Sequence, residues 1–140
     1  MTHILSGISL RYVLGVGGLA FATSVILVML VVTGYAFALG FAARGQPNHV
    51  DIQRFAAAIG PTLGPILASI LSAGGALWVA ARARTRPLAH GLLVGVVIGA
   101  GVLAIEFSQS VDLVDLAKVV AVVVAAWLGS ALAALRRPIH

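Results

Sequence analysis

Four long runs of apolar residues, separated by short polar connections, cover most of the chain. The runs lie at about residues 12–43, 55–81, 88–107 and 111–135. A helix of about 20 apolar residues crosses a ~30 Å hydrocarbon core. The pattern therefore predicts an all-α integral membrane protein with four transmembrane helices, in a single domain over residues 1–140. Because the connections are short, we expect consecutive helices to pack antiparallel.

Turn and capping residues predict where two of the helices begin. Residues 44–54 contain the turn formers Gly45, Pro47 and Asn48 and should form a loop before the second helix. The alternative is that the helix already begins within Asp51 to Phe55. Ser110 is the expected N-cap of the fourth helix, which places Asp112 in its first turn. The first run is too long for the 7–15-residue core of a cleavable signal, so we expect it to remain as a helix.

Small residues recur at four-residue spacing in every run. The first run has a short set near its far end, formed by Gly34, Ala38 and Ala42, and we call the longer sets of the other three runs the second, third and fourth ladders. Residues four apart share one helix face, so small residues there let a neighbouring backbone come close. In lipid, such close contact is a main source of helix association. The predicted helix-packing positions are Gly60, Gly64, Ala68, Ser72, Ala76 and Ala80 in the second ladder, Gly91, Gly95 and Gly99 in the third, and Ala117, Ala121, Ala125, Gly129 and Ala133 in the fourth.

Two Gly-Pro pairs, at Pro61 and Pro65, interrupt the second run. Proline has no amide hydrogen and clashes with the preceding helical turn, so the helix should begin or kink at Pro61. Pro65 would leave the carbonyl of residue 61 without its helical partner, and interrupted helices in transporters bind substrates or ions through such groups. The alternative is a kink or helix start with no further role.

The charges are few and unevenly distributed. The chain is 61% hydrophobic and 9% charged, far from the roughly 25% charged residues of soluble domains. Its net charge of +5 is spread too thinly for a nucleic-acid-binding surface. Arg44, Arg54 and Lys118 share one predicted side with all four acids. The other predicted side, which includes both termini, holds the remaining basic residues: Arg11, Arg82, Arg84, Arg86, Arg136 and Arg137. The positive-inside rule therefore predicts that both termini are cytoplasmic, in a multi-pass inner (plasma) membrane protein.

Two groups of polar residues are candidate sites. On the predicted outer side, carboxylates that come together would attract a hard cation; these are Asp51, Glu106, Asp112 and Asp115. The alternative is a solvated loop in which Asp115 pairs with Lys118 and Asp112 stabilises a helix start. On the inner side, Arg82, Arg84 and Arg86 are candidate contacts for anionic lipid head groups. Their alternative role is in membrane orientation alone.

Several classes of chemistry lack the residues they need. No ionisable residue lies at the middle of a run, which argues against a proton-coupled antiporter of the small multidrug resistance type. Cysteine is absent, and thiolate catalysis, iron–sulfur ligation and cysteine-ligated zinc all require it. The four histidines are scattered over the chain. We therefore expect no enzymatic activity, no cofactor and no metal site.

Residues 74–95 contain Gly74-Gly75, Ala80-Ala81-Arg82 and His90-Gly91-Leu92-Leu93-Val94-Gly95. This stretch resembles small bacterial four-span membrane proteins of unknown function, the YrzE-like proteins among them. The resemblance covers about 22 of the 140 residues. It implies a four-helix membrane fold, but no activity and no site.

Three functions follow from these features. The first is a helix-packing assembly module in the lipid bilayer, acting as a homo-oligomer or as an accessory subunit of a membrane complex. The second is an oligomeric channel or facilitator for an ion or small solute, with a pore lined by Thr23, Ser24, Thr33, Ser69 and Ser72. The third is lipid binding through the inner arginines.

Overall fold

The computed structural model describes residues 10–44, 48–83, 86–106 and 112–136, without the side chain of Glu106. Its helices are α1 (Leu10–Ala42), α2 (His49–Arg82), α3 (Pro87–Glu106) and α4 (Leu113–Leu135). By length and composition, all four helices can cross a membrane. The predicted all-α fold with four candidate membrane spans is therefore confirmed.

The start of α2 differs from the prediction, because the helix begins at His49 within the expected loop 44–54. Asn48 is its N-cap, and the Asn48 side-chain oxygen accepts a hydrogen bond from the Val50 amide at 3.0 Å. Asparagine serves both turns and caps. Here the capping role prevails, so the loop is shorter than predicted and the helix begins two residues before the earliest expected start, Asp51.

The start of α4 also differs from the prediction. Asp112 is the N-cap itself and not a first-turn residue: its carboxylate accepts hydrogen bonds from the amides of Val114 and Asp115 at 2.8 and 3.0 Å. A carboxylate at this position satisfies amides that have no partner within the helix. Ser110, the predicted cap, lies outside the described residues.

The middle of the bundle consists of α2 and α3, which contact each other and both remaining helices. Across the described ranges, α1 and α4 do not come near each other, so they lie on opposite sides of the α2–α3 pair. The core side chains are mostly β-branched and come from all four helices: Val13, Ala68, Val79, Val94, Ile98 and Val122.

The helices differ in length, and α1 and α2 therefore project beyond α3 at one end. At 1.5 Å per residue, α1 and α2 are each about 50 Å long, whereas α3 is about 30 Å. Met29 and Ile105 line one cavity, so α1 continues well past the end of α3. It stays beside α2 there, since Tyr35 stacks on Phe55 with ring centroids 3.9 Å apart. We call residues 30–42 and 49–59 the α1–α2 extension.

Candidate functional site

The third ladder lies against α4. A Cβ atom built on Gly95 would be 2.6 Å from the Ala126 Cβ, closer than real Cβ atoms approach. Residue numbers rise along α3 as they fall along α4: the contacts are Gly91 with Ser130, Gly95 with Ala126 and Gly99 with Val119. All three glycines therefore serve packing within the chain.

The second ladder divides into two parts. Its buried part is Ala68, Ser72, Ala76 and Ala80. The Ser72 hydroxyl donates a hydrogen bond to the Val122 carbonyl of α4 at 3.1 Å, which links the two helices. A Cβ atom placed on Gly60 or Gly64 would have no neighbouring atom within 4 Å. A four-residue step advances about 40° around the helix, so one ladder cannot keep facing one neighbour.

The fourth ladder is not the contact face of α4. Ala117 and Ala121 are exposed and Ala125 is half-buried, so their predicted packing does not occur within the chain. The buried face is instead Val122, Ala126, Gly129, Ser130 and Ala133. Steps of four and three residues alternate along this face, which matches the 3.6-residue helical turn better than strict fours. Gly129 and Ala133 belong to both sets, and Gly129 lies against the Ala73 backbone of α2.

The prolines line a cavity of about 400 Å³ between α1, α2 and α3. The helix is continuous through Pro61 and Pro65, so of the two expected alternatives at Pro61 a helix start does not occur. Each proline still lacks an amide hydrogen, which removes the usual helical donor for the carbonyls of Ala57 and Pro61. Both of these residues line the cavity.

The remaining cavity wall is almost entirely apolar. Its polar side chain is Ser24, whose hydroxyl donates to the Phe21 carbonyl of the same helix at 2.7 Å. Gly60 and Gly64 leave open space in front of the α2 backbone. No charged side chain lines the cavity, which suits an apolar guest better than an ion.

The acidic residues of α4 are engaged in starting the helix. The Asp112 amide donates to the Asp115 carboxylate at 3.2 Å, which completes a capping box. Lys118 donates to the same carboxylate at 2.6 Å. Asp51 lies in the first turn of α2, and the Glu106 side chain is outside the described part. No group of three or more acidic or histidine side chains comes together among the described residues.

The predicted inner arginines have different surroundings. The Arg82 guanidinium lies 3.9 Å from the centroid of the Trp78 ring, and Trp78 stacks on Tyr12 at 5.2 Å. Arg86 precedes α3 with a positive φ of 50°. Its carbonyl accepts a hydrogen bond at 3.0 Å from Nδ1 of the buried His90. Arg84 lies outside the described residues.

The predicted pore-lining hydroxyls do not share one surface. Ser72 is fully buried between α2 and α4, whereas Thr33 is exposed on α1. Thr23, Ser24 and Ser69 donate to carbonyls of their own helices at 2.7–2.8 Å. The side chains are therefore already satisfied and point in several directions.

Comparisons with other proteins give no further guide to this site. No protein-family model, no curated protein and no solved structure matches the chain. Its function is therefore inferred from the packing, cavities and charges described above.

Proposed function

We propose that this chain is a non-enzymatic inner-membrane protein that acts as a helix-packing assembly module, either as a homo-oligomer or as an accessory subunit. In this proposal the four spans are antiparallel and both termini are cytoplasmic. The contacting positions rise in number along α3 as they fall along α4, which supports antiparallel packing of these two helices. The distribution of arginines supports the orientation. The resemblance to YrzE-like proteins stays a prediction.

The α1–α2 extension is the observation that carries this proposal. A bilayer that matches the 20 residues of α3 is too thin for the 33 residues of α1. The α1 part of the extension, residues 30–42, is nevertheless apolar, and the side chains of Phe37 and Phe41 are 65% and 83% exposed. Helices that exceed the bilayer thickness tilt or associate. Association would also cover this apolar surface.

The extension also has small residues for a close contact. Gly34, Ala38 and Ala42 follow one another at four-residue spacing and are exposed, and Gly34 has no atom within 4 Å of a built Cβ. The third ladder and the buried part of the second already pack within the chain. We therefore assign the partner contact to α1 and not to those ladders.

Cysteine cross-linking tests this assignment, because the chain has no cysteine of its own. We expect Ala38→Cys, oxidised in native membranes, to form a covalent dimer or a link to another subunit. Val124→Cys, on the exposed face of α4, is the matched control and should stay uncross-linked. A monomeric mass in mild detergent with no co-purifying subunit, together with no Ala38→Cys product, would contradict the proposal.

The alternative is an oligomeric channel or facilitator for an ion or small solute. It has less support, because Ser72 is buried between two helices of the same chain and is closed to an oligomer axis. The hydroxyls on α1 donate to their own helix. A pore would therefore need residues other than the predicted set.

A further inference from the structure

A groove of about 500 Å³ runs between α1 and α2 at the end of the bundle away from the α1–α2 extension. On α1 its residues recur once per turn, through Gly15, Val16, Leu19 and Ala20 to Thr23, and on α2 they include Gly75. The Thr23 hydroxyl donates to the Leu19 carbonyl at 2.8 Å. The groove floor is thus apolar.

The open end of this groove is aromatic and positively charged. Arg11, Tyr12 and Trp78 line it. Tyr12 stacks on Trp78 with ring centroids 5.2 Å apart, and the Arg82 guanidinium covers the same indole at 3.9 Å. Aromatic rings of this kind are enriched at the head-group level of a bilayer. A guanidinium over an aromatic ring keeps its charge and has N–H donors that can bind a phosphate.

The described carboxylates lie at the opposite helix ends. Asp51 is in the first turn of α2, whereas Arg82 is in its last turn. Asp112 and Asp115 are at the start of α4, and α4 does not contact α1. Anions from outside the chain are therefore the matching partners for Arg11 and Arg82.

We propose that this groove binds one anionic phospholipid, with its phosphate between Arg11 and Arg82 and one acyl chain along the floor. The span from Arg11 to Thr23 is about 18 Å at 1.5 Å per residue, close to the depth of one leaflet in a ~30 Å hydrocarbon core. The two arginines should favour anionic over zwitterionic phospholipids. Each basic residue near the surface contributes about 1 kcal/mol to this preference, or about fivefold in the binding constant. This site is independent of the proposed assembly contact.

Quenching of Trp78 fluorescence by brominated lipids tests the proposal. Trp127→Phe leaves Trp78 as the sole tryptophan, and the protein is reconstituted with brominated phosphatidylglycerol or brominated phosphatidylcholine. We expect Trp78 to select phosphatidylglycerol. Arg11→Gln and Arg82→Gln should each lower the ratio of the two binding constants about fivefold, the effect of ~1 kcal/mol. Because both binding constants are measured on the same variant, their ratio is not affected by a change in Trp78 fluorescence intensity that results from loss of the guanidinium.

Two matched controls separate a groove from general surface charge. Arg136→Gln removes a cation at the end of α4, away from the groove, and should leave the ratio unchanged. A Cβ atom on Gly15 or on Gly18 would have no neighbour within 4 Å, but only Gly15 lines the groove. Gly15→Leu should therefore weaken quenching by both lipids about threefold or more, whereas Gly18→Leu should leave it unchanged. Equal binding of both lipids by the parent, or an Arg136→Gln effect as large as that of Arg82→Gln, overturns the proposal.

Discussion

At the scale of single residues, Gly129 sets how closely α4 approaches α2. Its neighbour is the backbone of Ala73, whose carbonyl occupies the space that a Cβ atom would need. Backbone cannot rotate aside as a side chain can, so Gly129→Ala must separate the two helices. We expect this variant to lose about 1–3 kcal/mol of stability, the usual cost of overpacking, measured by thermal unfolding in detergent.

Gly74→Ala is the matched control, because it is the same substitution at an exposed position within a helix. Gly74 is exposed and has no atom within 4 Å of a built Cβ, so the added methyl group meets no neighbour. We expect no loss of stability. A Gly129→Ala variant as stable as Gly74→Ala would mean that the helices do not approach as described.

Sequence patterns predict single contacts well where neighbouring helices cross, and less well elsewhere. Four-residue spacing identified Gly91, Gly95 and Gly99, and these glycines do lie against α4. The same rule selected Ala121, which is exposed, and passed over Ala126, which is buried. The rotation of a helix about its axis depends on the shape of its neighbours, which spacing along one helix does not contain.

At the scale of elements, α2 remains one helix despite two internal prolines. Pro61→Ala restores an amide donor for the Ala57 carbonyl and removes a ring that clashes with the preceding turn. We expect the substitution to raise the stability by about 1 kcal/mol, a part of the ~3 kcal/mol penalty for proline inside a helix. Thermal unfolding in detergent measures the change.

Pro87→Ala is the control for this prediction, because Pro87 is the first residue of α3. The amide at that position needs no helical partner, so its restoration should change little. If Pro61→Ala instead lowered the stability, the curvature imposed by the proline would itself be needed for the packing around the cavity.

The number of spans could be predicted from sequence, and the predicted helix ends lie within two residues of the observed ones except at the start of α2. A membrane-spanning helix is predicted from the hydropathy of about 20 consecutive residues, which is a local property of the sequence, and each of the four apolar runs is long enough to be recognised in this way. Helix starts depend on whether one polar residue acts as a cap or as a turn former. Asn48 and Asp112 both cap helices, and their hydrogen bonds to nearby amides exist only once the helix has formed. The cavity beside Pro61 needs three helices in place and had no signal in the sequence.

At the scale of the whole molecule, the proposed orientation places two sets of residues on opposite sides of the membrane. Single cysteines at Ala83 and Arg136 should be protected from an impermeant maleimide in intact cells and become labelled after disruption. Single cysteines at Arg44 and Leu113, both exposed, should be labelled in intact cells. Labelling of Arg136→Cys in intact cells would contradict the orientation inferred from the arginines and would indicate the opposite one.

The separation of α1 from α4 has a consequence for biogenesis. Both helices that α1 contacts, α2 and α3, follow it in the chain, so α1 leaves the ribosome before any of its partners exists. It must therefore persist alone in lipid during synthesis, and it has the most apolar window of the four helices. The last helix to emerge, α4, meets α2 and α3 already made, and its insertion does not require α1 to move.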